Sequence, residues 1–125
     1  MKRDYEIGIS PDKTFVYAQA FRQPYTLELA LAVARELNPL GKKFGVLGCL
    51  IDIRGTKSVT SNFEKYEFAQ KQANHVGVPR HWRIALLKDA DDDSPNFLET
   101  VMKNAGYSFK IFKDKLRAIE WLKEA

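Results

Sequence analysis

The chain has 125 residues, of which 45% are hydrophobic and 29% charged, with one cysteine and a net charge of +4 from 20 basic and 16 acidic residues. That length makes one domain with a real core, and a lone Cys49 excludes an internal disulfide or a cysteine-built zinc site. The bases are dispersed among acids, which argues against a nucleic-acid footprint and leaves an acidic partner open.

Tyr5, Ile7 and Ile9 alternate with Glu6, Gly8 and Ser10, Pro11-Asp12 supplies a turn, and Thr14 to Phe21 resumes the alternation, so the chain is expected to open with a hairpin. Thr26 reads as a helix cap, followed by Leu27, Ala30, Leu31, Ala34 and Leu37 at helical spacing and a stop at Asn38-Pro39. Phe44 to Ile53 is nearly all apolar and predicts a central strand covered on both faces. Asp52 interrupts that run, which is also the longest candidate for a membrane span, so none is expected. Ser61 and Glu64 form a capping box ahead of a helix whose inward stripe is Phe63, Tyr66, Ala69, Ala73 and Val76, closed by Gly77 and Pro79. Trp82 to Leu87 is the next strand. Ser94-Pro95 predicts a cap and first turn for a helix with Phe97, Leu98, Val101 and Met102 on its apolar face. Tyr107 to Phe112 is the last strand, and Asp114 caps a final helix with Leu116, Ala118, Ile119 and Leu122. The order ββαβαβαβα predicts a single α/β domain over residues 1–125, with a parallel central sheet, an antiparallel hairpin at one side and helices packed on it.

Three segments resemble the SpoIIAA-like branch of the STAS family, bacterial proteins related to anti-sigma-factor antagonists. They are Leu50-Ile51-Asp52-Ile53-Arg54-Gly55, then Trp82 to Asp89, then Phe109-Lys110-Ile111-Phe112 with Ala118-Ile119-Glu120-Trp121-Leu122. The resemblance implies a STAS fold and a regulatory or protein-interaction module. The family's phosphorylated serine lies in an Asp-Ser-Ser/Thr-Gly signature after the third strand. Aligned on Asp52, this chain has Ile53, Arg54 and Gly55 there, which implies a module without that switch.

The window Asp52 to Ser61 joins a central strand to a helix, where α/β folds take ligands. Arg54, Gly55, Thr56, Lys57, Ser58, Thr60 and Ser61 are the expected partner- or anion-binding residues, against the plainer reading of a polar connection capped by Ser61. It is not a P-loop, because Gly55-Thr56-Lys57-Ser58 breaks the Gly-Lys-Ser run. Phe21, Tyr25, Phe63 and Tyr66 are expected to line a small apolar pocket between the hairpin and the helices, unless they are ordinary packing. Asp89, Asp91, Asp92 and Asp93 fail the calcium-loop pattern, with Ser94 in place of its glycine. His75 and His81 have no nucleophile beside them, and the late bases Lys103, Lys110, Lys113, Lys115, Arg117 and Lys123 suit solvated helix faces or a patch for an acidic partner.

Two functions follow as expectations: a non-catalytic regulatory module with a protein partner, or a binder of a small apolar or lipid-like ligand. An enzyme using Asp52 and Asp89 is the weakest reading, since no cofactor motif or metal set accompanies them. The start, Met1 to Glu6, lacks the apolar core of a secretory leader, so the expected compartment is the cytoplasm. The hairpin edge makes a homodimer an expectation as well.

Overall fold

The structure is a computed structural model that describes residues 4–21 and 24–124; the Met1–Arg3 part of the leader reading lies outside them. β1 (Tyr5–Ile9) and β2 (Phe15–Ala20) pair antiparallel, with Tyr5 opposite Ala20 and Ile9 opposite Val16. Their turn is built on Ser10, whose hydroxyl accepts from the N–H groups of Thr14 and Phe15 and donates to Asp12. β2, β3 (Gly48–Asp52), β4 (Arg83–Leu87) and β5 (Ser108–Phe112) then run parallel, in the sheet order β1-β2-β3-β4-β5.

Each parallel step needs a crossover, and helices supply it. α1 (Leu27–Phe44) joins β2 to β3. α2 (Asn62–Glu67) continues through a π-helical turn, Phe68–Gln72, into α3 (Ala73–His75), joining β3 to β4. α4 (Asn96–Asn104) joins β4 to β5, and α5 (Lys115–Lys123) ends the chain. No described helix is long and apolar enough to cross a membrane.

The two-residue period of the strands divides the core. Cys49, Ile51, Ile84, Leu86 and Phe109 face one side and pack with Val33 and Leu37 of α1, Ala69 and Ala73, and Val101 and Met102 of α4. Phe15, Leu50, Ala85 and Leu87 face the other side, where Ala118 and Leu122 of α5 cover them. The near-continuous apolar reading of β3 and β4 is the signature of strands buried on both faces.

Four expectations change. First, α1 does not stop at Asn38-Pro39 but runs to Phe44 and ends at Gly45, which takes φ 62°. Pro39 and Arg35 are both exposed, so the carbonyl that Pro39 leaves without an N–H faces water, while the buried Asn38 amide donates to the Val76 carbonyl at 2.9 Å. The strand is correspondingly shorter than Phe44 to Ile53.

Second, Phe63 and Tyr66 are exposed rather than inward, and Lys65, Ala69 and Ala73 are the buried residues of that helical segment. A π turn holds more than four residues, so a strict spacing of four stays on one face. Third, the Ser94 hydroxyl accepts from the Ser58 N–H instead of capping α4, whose start has no side-chain cap. Fourth, Leu116 and Phe97, expected inward, are 72% and 39% exposed.

Candidate functional site

The carboxyl ends of β3 and β4 hold the loop singled out in the sequence. Asp52 is buried, and its carboxylate accepts from the Arg54 backbone N–H and, in two bonds of 3.1 and 2.9 Å, from the Arg54 guanidinium. Those bonds to Asp52 hold the guanidinium protonated to higher pH than usual. The Gly55 N–H donates to Asp89 at 2.8 Å, and the Ser58 N–H donates to Ser94. Thr56 is buried, its hydroxyl donating to the Ile53 carbonyl. Ser61 completes the capping box with Glu64.

Within the loop expected to bind an anion, the Arg54 guanidinium and the Gly55 N–H already donate to the carboxylates of Asp52 and Asp89. Lys57 and Thr60 serve through their carbonyls, which accept from the Tyr25 N–H at 2.9 Å and from Lys65 at 2.8 Å.

The acidic loop is likewise closed on itself. Lys88 is buried, and its ammonium donates to the Asp92 carbonyl at 2.6 Å and to Asn96 at 3.0 Å, filling the place where a cation would sit. Among the described residues no three metal-ligating side chains cluster. His75 and His81 are exposed, as are all six late bases.

What the loop does is fasten one wall of a cavity. Tyr25 and Ser58 form a parallel bridge, with the Val59 N–H returned to the Tyr25 carbonyl, so the segment before α1 is tied to the loop before α2. Beneath that tie lies a space of about 100 Å³. α1 contributes Leu27, Ala30, Val33, Ala34 and Leu37; the sheet contributes Cys49, Ile51, Ile84, Leu86 and Phe109. Phe68, Val78, Leu98 and Met102 complete the apolar wall, and Tyr25, Asn38, Ser58, Thr60 and Lys65 are the polar residues among its lining.

Of the four aromatic residues expected at an apolar pocket, Tyr25 alone lines this one. Phe21, Phe63 and Tyr66 are 52%, 71% and 49% exposed. The space lies between the sheet and the helices α1, α2 and α4, rather than beside the hairpin. Small side chains contribute to both walls: Ala30 and Ala34 on α1 and Cys49 on β3.

Three ionisable groups line the space. Burial pushes the Cys49 thiol up to about 12 and raises Tyr25 above its ordinary range, with a smaller contribution from Cys49. Both are therefore neutral at physiological pH, and the Tyr25 hydroxyl makes no hydrogen bond among the described residues. Lys65 is lowered, chiefly by desolvation. It was missed in the sequence because a lysine beside Glu64 in a first turn reads as a solvated helix face. The only signal was its spacing, four residues before Ala69 and eight before Ala73.

No family model matches the sequence, and no curated protein matches it. A solved structure described as a photosystem II D1 C-terminal processing protease is similar in fold, with a TM-score of 0.57 and 12% sequence identity. The match covers 89% of this chain and 36% of that one, so the chain spans little more than a third of that protein. At that identity the likeness concerns the arrangement of strands and helices alone.

Proposed function

We propose that this chain is a non-catalytic module that binds a small apolar ligand in the cavity between the sheet and α1, α2 and α4. The cavity itself carries the reading. Protein cores pack as densely as organic crystals, so a space of about 100 Å³ walled by apolar side chains is surface that an apolar occupant would take out of water. An apolar cavity of about 150 Å³ takes benzene, so this one suits a ligand with an apolar body of about that size or less.

Toluene or benzene titrated against the protein is expected to raise the melting temperature and to shift amide resonances of Ala30, Leu37, Ile84 and Met102. Ala34→Leu, which fills the space, is expected to abolish both effects. A wild-type protein indifferent to both compounds would end the proposal.

A second reading is favoured by a different observation. Val59, Phe63 and Tyr66, three large side chains along the loop and first turns of α2, are 58%, 71% and 49% exposed. Adjacent exposed apolar groups mark interaction surfaces. They lie where a STAS-type regulatory module without a phospho-serine would meet a protein partner. Phe63→Asp is expected to release any partner recovered on the native chain; a partner retained by that variant assigns the contact elsewhere.

A further inference from the structure

We infer that the ligand of this cavity carries a carboxylate and that Lys65 recognises it. The inference rests on the cavity being a binding site, and it names the chemistry of the occupant.

Lys65 is 5% exposed and lines the cavity. Its ammonium has three donors and uses one, to the carbonyl of Thr60 at 2.8 Å, itself a lining residue. No carboxylate lies within ion-pair distance of it among the described residues. Two acids lie within its field: Glu64 accepts from the Ser61 N–H in the capping box, and Asp92 accepts from the Ser94 N–H through one oxygen while its other oxygen is buried without a hydrogen bond among the described residues. A buried, unpaired cation is costly, and chains bury one where something pairs with it.

A monoanion with an apolar body completes this arrangement. The body fills the space among Ala30, Ala34, Ile84 and Met102, and the head takes the two unused donors of Lys65. Tyr25 stands on the same wall as a second donor, its hydroxyl without a hydrogen bond among the described residues and held protonated by burial. An amine would meet like charge, a hydrocarbon would leave the ammonium as it is, and a phosphate dianion would bring twice the charge of one lysine. The class that fits is a monocarboxylate whose apolar body is about benzene-sized, such as benzoate or hexanoate.

The test compares toluene with benzoate on the wild-type chain and on Lys65→Met by calorimetry at neutral pH, with circular dichroism as the check of folding. Wild type is expected to bind benzoate about tenfold or more tighter than toluene, the scale of a charge-assisted hydrogen bond. Lys65→Met is expected to lose that preference while holding toluene within about threefold of wild type. Toluene bound with no preference for benzoate in wild type overturns the carboxylate inference and leaves the cavity reading standing. Neither compound bound overturns both. Should Lys65→Met fail to fold, the wild-type preference and its loss in Tyr25→Phe decide the matter.

Discussion

Ala34→Leu is the substitution that asks most directly whether the space beneath α1 is empty. Burying three added carbons at about 0.8 kcal/mol each sets a ceiling of about 2.4 kcal/mol. Leucine and alanine have nearly equal helix propensity, so α1 itself is not taxed. Imperfect fit and lost rotamer freedom reduce the gain to about 1–2 kcal/mol. For a chain of this length that is a rise of roughly 4–8 °C in melting temperature, or roughly 0.5–1 M in the urea midpoint with an unchanged slope. Urea unfolding without added ligand is the assay. Ala85→Leu is the control: Ala85 is fully buried on the other face, against α5, outside the cavity, and is expected to lose about 1–3 kcal/mol through overpacking. If Ala34→Leu loses stability as the control does, atoms occupy the space and the argument from it collapses.

Three further outcomes follow. Cys49, buried with its thiol raised to about 12, is expected to resist a thiol reagent at pH 8 until urea unfolds the chain, and labelling of the native protein at the rate of a free thiol would contradict its placement. The same raised thiol makes stability fall with pH: the contribution is complete below the ordinary thiol value of 9.0 and is lost as pH rises towards about 12, at up to about 1.4 kcal/mol per pH unit. Unfolding at pH 8 and 10.5 should therefore show a steeper loss in wild type than in Cys49→Ala. Gly48→Ala is expected to cost about 3 kcal/mol or more, or to leave the protein insoluble, because its Cβ would lie 2.1 Å from the Arg83 carbonyl oxygen on the neighbouring strand; a midpoint within error of wild type would show that β3 and β4 are not in this register.

Much of the fold was legible because periodicity and caps are local. The alternation in residues 5–9, the Thr26 cap, the Ser61–Glu64 box and the Asp114 cap each depend on side chains within a few positions of one another, and each is present in the structure. Pro39 misled for a physical reason: the donor it lacks would have gone to Arg35 on the solvent side, and the Asn38 amide finds its partner 38 residues away at Val76. Nothing in residues 35–40 carries that information.

The site was illegible for a deeper reason. An anion cradle is suggested by donors close in sequence, but whether those donors are free depends on Asp89, 34 residues beyond Gly55, and on Ser94, 36 residues beyond Ser58. A cavity depends on volume that is missing, and missing volume is a property of facing residues rather than of any one of them. Ala30 and Ala34 read as good helix formers, and Cys49 as a small core residue. Only when the parallel register sets Cys49 beside Ile84, and Ile84 beside Phe109, under that stretch of α1 does their shared smallness become a space. Lys65 follows the same logic. The capping box fixes the phase of α2, the wide turn that follows keeps residues 65, 69 and 73 on one face, and the charge is thereby carried inward beside two alanines. A charge brought inside by backbone geometry, held by the Thr60 carbonyl and by no ion pair among the described residues, is what binds the cavity's chemistry to its shape.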